Sequence, residues 1–128
     1  MSARVLVVDD IPVNVRLLEA KLSAEYFDVI TAGSGAEALG AIAASPPDIV
    51  LLDVMMPGRD GWEVCRMMKQ HPILGRVVRI IMVTALGEWD DKRQALQTGA
   101  DDYIEKPFDL PALAKAVERN AALLPKAG

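Results

Sequence analysis

The sequence is short of the residues that staple, anchor or export a protein: it has one cysteine, one histidine and no apolar run longer than a strand. Cys65 alone cannot close an internal disulfide, and no CxxC pair or Cys/His cluster is present to bind zinc. The chain opens Met-Ser-Ala-Arg with no apolar export segment, so a cytoplasmic location is expected. Its longest apolar stretch, around Ile80 to Val83, is strand-sized and far too short to cross a bilayer, so no membrane association is expected. Lysine and arginine are scattered and the net charge is -4. That is the wrong electrostatic footprint for direct nucleic-acid binding.

What remains suits one folded unit. A length of 128 residues, 52% hydrophobic and 25% charged, can close a single core without disulfides or structural metals. Residues 1–124 are expected to form that domain, with 125–128 as a short tail. Val5 to Val8 is an apolar run closed by Asp9 and Asp10, Ile49 to Leu52 is closed by Asp53, and Ile80 to Val83 is followed by Thr84. These read as buried strands, with Val29 to Thr31 and Tyr103 to Ile104 as shorter ones. Between them, helical spacing is set by Val15, Leu18 and Leu22, and by Leu110, Leu113, Ala114, Val117, Ala121 and Leu124. Ser34 with Glu37, and Asp60 with Glu63, fit capping boxes; Asp109 can cap a final helix, and Gly99 suits a left-handed helix end. Alternating strands and helices of this kind predict an α/β, doubly wound (βα)5 sandwich with a parallel sheet.

In such sheets, ligands bind beyond the carboxyl ends of the strands. Those ends carry Asp9 and Asp10, Asp53, Thr84 and Lys106. Carboxylates gathered at one edge repel one another unless a cation offsets them, and an oxygen-only donor set with open positions suits Mg2+. A carboxylate beside such an ion, with an ammonium and a hydroxyl close by, has what in-line phosphoryl transfer needs, and Asp53 is the best-placed nucleophile.

The segments VLVVDD, DIVLLDVMMPGRDGWEVCRMMK, IIMVTA and GADDYIEKPFDLPAL, in that order and spacing, resemble the receiver domains of two-component response regulators, the CheY-like superfamily. The segment from VLVVDDIPVNVRLLEAKLSAEYFDV onward especially resembles the first receiver of diguanylate-cyclase response regulators of the PleD type, and also stand-alone regulators of the DivK type. The resemblance implies a flavodoxin-like five-stranded sheet in order 2-1-3-4-5. It implies Asp53 as phosphoacceptor, with Mg2+ held by Asp9, Asp10, Asp53 and the backbone carbonyl of Met55. It further implies that Lys106 pairs with the phosphoryl group through a cis Lys106-Pro107 bond, that Thr84 bonds a phosphoryl oxygen beside the small Ala85, and that Tyr103 is the aromatic switch. The phosphodonor would be a sensor histidine kinase or phosphotransfer protein. A face built from the fourth helix, fifth strand and fifth helix would then control a downstream protein or output domain, as a monomer or a phosphorylation-dependent dimer. The domain would catalyse its own phosphorylation and dephosphorylation, as a switch more than a turnover enzyme. Arg59 in the MPGRDG turn and Val78-Arg79 before the fourth strand depart from the usual pattern and bear on partner choice.

Plainer readings compete for some residues. A Mg2+-dependent phosphatase also uses an aspartyl nucleophile at a strand end, but it normally needs an acid/base carboxylate two residues on, where this chain has Met55. A flavin carrier would want a Ser/Thr-rich first loop, and this one is acidic. An unphosphorylated receiver-shaped scaffold would not need the full set of Asp9, Asp10, Asp53, Thr84 and Lys106. His71 is expected at the surface, Cys65 with Met67 and Met68 in the core, and Trp89 as a single exposed apolar residue of the ordinary kind, with a partner contact or a local lid as the alternative.

Overall fold

In a computed structural model the apolar runs line up as one sheet, described over residues 3–53, 61–71, 78–85, 99–106 and 109–124, with backbone only at 61, 62, 84 and 85. The strands are β1 (Arg4–Val8), β2 (Asp28–Ala32), β3 (Ile49–Asp53), β4 (Arg79–Ala85) and β5 (Asp102–Lys106). Their spatial order is β2-β1-β3-β4-β5, and every neighbouring pair is parallel. This is the doubly wound architecture expected from the alternation. Each strand runs past its apolar run by one or two residues, so Asp53 and Lys106 end β3 and β5, and Thr84 lies within β4. Ladder hydrogen bonds use the backbone alone, so pairing continues through polar residues that an apolar pattern leaves out.

Alternation along the strands splits the core in two. Leu6, Val8, Val50, Leu52, Ile80 and Met82 face α2 (Gly35–Ala44) and α3 (Gly61–Gln70), packing with Ala38, Ile42, Val64, Cys65 and Met68. Val5, Val7, Ile49, Leu51, Ile81 and Val83 point the other way, towards α1 (Pro12–Ala24) and the final helix, α4 (Leu110–Ala121), where they meet Leu18, Leu22, Leu113 and Val117. Cys65 and Met68 are buried as expected, whereas Met67 is 40% exposed. One step along a helix turns a side chain by about 100°, which carries Met67 off the stripe that Val64 and Met68 share.

Local signals set the helix ends. At α2 the Ser34 hydroxyl accepts from the Glu37 N–H at 3.1 Å, and the Glu37 carboxylate reaches back to the N–H of Gly33, one residue beyond the usual capping-box partner. Asp109 accepts from the Ala112 N–H at 2.7 Å and caps α4, where Pro111 tolerates the first turn. Gly99 has φ +89°, the left-handed conformation its sequence position predicts. Helix α1 ends in a Schellman arrangement: the Phe27 N–H donates to the Leu22 carbonyl and the Tyr26 N–H to that of Ser23, with Tyr26 itself at φ 69°. The helix expected between β4 and β5, and Asp60 of the second capping box, lie outside the described residues.

Beneath the sheet, at the start of β4 and β5, a polar network replaces apolar packing. Asn120 is 1% exposed; its amide donates to the Asp102 carboxylate (2.9 Å) and the Ala116 carbonyl (2.8 Å), and its oxygen accepts from Arg79 (2.9 Å). Asp102 also accepts from Arg119 at 2.6 Å and from the Tyr103 N–H at 2.8 Å. Burial works to raise the Asp102 carboxyl, but the bonds from Arg119, Asn120 and Tyr103, together with the Arg119 charge, hold it below the ordinary carboxylate value. A lowered folded-state value means that the unfolded chain binds the proton more readily. The resulting stabilisation is complete above the unfolded pKa and disappears as pH falls through the folded one.

Two outcomes are expected in urea titrations. Asn120→Ala costs about 2 kcal/mol, because it strands buried partners on Arg79 and Asp102. Asp102→Asn lowers the midpoint at neutral pH, and its deficit against the wild type narrows as pH is taken below about 4. A deficit that stays constant across that range would disprove the linkage.

Candidate functional site

Parallel pairing brings the carboxyl ends of all the strands to one edge of the sheet. β1 and β3 are neighbours in register, Val8 opposite Leu52, so the residues that follow them, Asp9 and Asp53, emerge side by side. The Asp9 N–H donates to the Ala32 carbonyl at 3.2 Å, which extends the sheet edge one residue past β1 and fixes where Asp9 and Asp10 begin. Across β3, Asp53 pairs with Val83, and across β4, Ala85 pairs with Lys106. Register alone therefore delivers residues from β1, β3, β4 and β5 to one place.

Asp9 and Asp53 are buried, at 6% and 3% exposure. One carboxylate oxygen from each of Asp9, Asp10 and Asp53 lies within 4.8 Å of the other two. The Lys106 Nζ stands 3.2 Å from Asp53 Oδ2 and is itself only partly covered. Among the described residues one ammonium stands against three carboxylates, two of them buried, which leaves an excess of negative charge that is costly without a further cation. All three carboxylates offer oxygen and no His or Cys joins them among the described residues, so the donor set suits a hard divalent ion.

The expected site residues divide in two. Asp9, Asp10, Asp53 and Lys106 come together. The backbone of Thr84 sits at the same edge, paired with Glu105 beside Lys106, but its side chain is outside the described residues. Met55, Arg59, Trp89 and the Lys106-Pro107 bond also lie outside them. Tyr103 is three residues before Lys106 on the same strand and is partly buried against the α2/α3 side of the core. His71 is exposed, as its turn position predicts.

One feature of the site escapes an apolar-run reading. Asp9 is held by two donors: the Ile11 N–H at 2.9 Å to Oδ1, and the Asn14 amide at 3.4 Å to Oδ2. A polar residue at the third position of a helix that has no side-chain N-cap was the available signal. A cleft of about 610 Å³ opens from Asp9 and Asp10 and runs between Pro12, Val15, Arg16 and Glu19 of α1 and Thr31, Gly33 and Glu37.

The family model described as Response regulator receiver domain matches residues 5–118. The chain is similar to the response regulator PleD of Caulobacter vibrioides, with 55% identity over 109 residues covering 85% of this chain and 24% of PleD. It is also similar to the alkaline phosphatase synthesis transcriptional regulatory protein PhoP of Bacillus subtilis, 41% identical over 126 residues, covering 96% of this chain and 51% of PhoP. It therefore spans only about a quarter and about half of these two relatives. Among solved structures, the signal receiver domain of a signal transduction histidine kinase from Syntrophus aciditrophicus superposes with TM-score 0.89 at 30% identity, covering 99% of this chain and 96% of that one.

Asp10→Asn removes one of three mutually repelling charges while leaving the buried pair in place. The variant is expected to melt higher than the wild type in EDTA and to lose most of the rise that millimolar Mg2+ gives the wild type. A thermal melt with and without Mg2+ reads both effects, and an undiminished Mg2+ response in the variant would remove Asp10 from the ion site.

Proposed function

The chain belongs to the response regulator receiver family of two-component systems, and from that premise we propose that it accepts a phosphoryl group on Asp53 in a Mg2+-dependent reaction and switches a partner or output domain. The observation that carries this reading is the meeting of Asp9, Asp10 and Asp53 within 4.8 Å, with Lys106 bonded to Asp53 at 3.2 Å. Asp53 is the nucleophile. Asp9, Asp10, Asp53 and the Met55 carbonyl hold Mg2+, which when bound neutralises charge on the transferring phosphoryl oxygens. Lys106 releases part of its hold on Asp53 to pair with those oxygens, and the Thr84 hydroxyl donates to another.

The donor is a phosphohistidine on a sensor kinase or phosphotransfer protein. As the Asp53 oxygen bonds to phosphorus, the phosphorus–nitrogen bond breaks and its electron pair returns to the imidazole, which takes up a proton; the product is an acyl phosphate. Water later attacks the phosphorus, frees inorganic phosphate and restores Asp53. Apolar side chains rim the approach: Ile11, Val13 and Leu17 are 47%, 55% and 50% exposed at and just after the start of α1, which gives a docking donor something to bury. A cytoplasmic setting follows from the same donor chemistry.

The switch is a two-state equilibrium biased at Thr84 and Lys106. Tyr103 shares β5 with Lys106 and is only partly buried, and as the switch residue it moves inward on phosphorylation. The face read by partners comprises β5, the helix expected before it and α4. Residues 1–124 form the receiver domain and 125–128 a tail, with output residing in a separate partner or an attached domain. The protein acts as a monomer or as a dimer formed on phosphorylation.

Acetyl phosphate with Mg2+ is expected to add the mass of one phosphoryl group to the intact protein, and Asp53→Asn to add none. An unmodified wild type, or equal modification of the variant, would refute the assignment. Lys106→Ala is expected to retain Mg2+ binding but to lose the change in hydrogen exchange along β5 that phosphorylation produces in the wild type. A preserved exchange change would take Lys106 out of the switch.

A further inference from the structure

We propose that Asn14 is a positioning residue for the ion site, fixing the orientation of Asp9 so that its carboxylate faces the proposed Mg2+ in the metal-free protein; this rests on the site reading above. Asp9 Oδ1 accepts from the Ile11 N–H at 2.9 Å and Oδ2 from the Asn14 amide at 3.4 Å. Each donor takes one oxygen, so neither torsion of the side chain is free to turn. An ionised carboxylate has about four acceptor positions, and two remain for an ion after these two bonds. Asp10, by contrast, has no side-chain hydrogen bond among the described residues and is the less buried of the two. The neighbouring aspartates thus differ: Asp9 is pre-set, and Asp10 can adjust when the ion arrives.

The local fold explains how Asn14 reaches back. Ile11 is the N-cap of α1 in extended conformation (φ -100°, ψ 109°), it makes no side-chain cap, and Pro12 follows it. Asn14 is the third residue of the helix, the position from which a capping-box side chain turns back towards the N-cap. Here it passes the N-cap and meets Asp9, itself 6% exposed. The bond also places the positive end of an amide dipole against a cluster of three carboxylates, which offsets part of their repulsion. Partners of this kind behind ligating carboxylates commonly tune ion affinity by about 10–100-fold.

Two substitutions in the full chain test the idea. Asn14→Leu keeps the volume and removes the donor; its Mg2+ dissociation constant by titration calorimetry is expected to rise about tenfold, and its melting temperature in EDTA to fall because buried Asp9 loses a partner. Asn14→Asp gives a sign test. An ordinary surface residue in the first turn of a helix raises stability when made acidic, through the helix dipole. If Asn14 faces Asp9, the same change sets two carboxylates against each other, so the melting temperature in EDTA falls below the wild type and Mg2+ restores it. An unchanged Mg2+ dissociation constant in Asn14→Leu, or a higher metal-free melting temperature in Asn14→Asp, overturns the proposal while leaving the ion site standing. A wild type that binds no Mg2+ overturns both.

Discussion

Setting Val8 opposite Leu52 commits β1 and β3 to deliver Asp9 and Asp53 to neighbouring points on one sheet edge, and Asp10 joins them from the turn. Nothing apolar can relieve that crowding. The surrounding structure is arranged to tolerate it: the Ile11 N–H donates to one oxygen of Asp9, an amide from α1 touches the other, and the lysine ending β5 lies against Asp53. Buried like charges survive only where the fold supplies such partners or an ion, and here part of the compensation is built in. The remainder is open to a divalent cation. That incompleteness is what gives the edge its chemistry.

The sheet order is the means by which the constraint is met. With β1 and β3 central, their residues are covered on both faces: Val5, Leu6, Ile49, Val50 and Leu52 are fully buried, so the strands that carry the aspartates are the least able to shift. β5 stands at the edge, all five of its residues only partly buried, and it carries Lys106 and Tyr103. On the proposed reading, a buried acceptor and a less buried sensor lie on different strands of one sheet. A switch needs both properties, because an element that moves freely cannot align a nucleophile and one that is locked cannot report its modification.

Most of this was legible in the residues themselves. Apolar runs such as Val5 to Val8 mark buried parallel strands because both faces are covered, and the polar residue closing each run marks the edge where chemistry can occur. The limits of that reading are physical too. Asp53 and Lys106 close β3 and β5 as the strand-end reading has them, yet the apolar runs stop short of both, because the ladder is a backbone property to which hydrophobicity is blind. Met67 was assigned inward with its neighbours, although one position turns it to solvent. Asn14 and Asn120 are identified by their partners: Asn14 meets Asp9 across the start of α1, and buried Asn120 meets Arg79 and Asp102 only through tertiary contact.

Asn120 bears on how the two ends of β5 relate. At its start, Asp102 is tied to α4 by Asn120 and Arg119, and the preceding Asp101 accepts from the Ile80 N–H and from Lys69 of α3, at 2.8 and 2.9 Å. At its other end, the Lys106 side chain donates to Asp53 at 3.2 Å. β5 keeps register with β4 along its whole length, Asp102 opposite Ile81 and Lys106 opposite Ala85, so its two ends differ in their side-chain ties: Asp102 to α4, and Lys106 to Asp53. On the phosphoacceptor reading, a change of charge at Asp53 reaches β5 through Lys106, while the polar network beneath the sheet ties the opposite end of the same strand to α4.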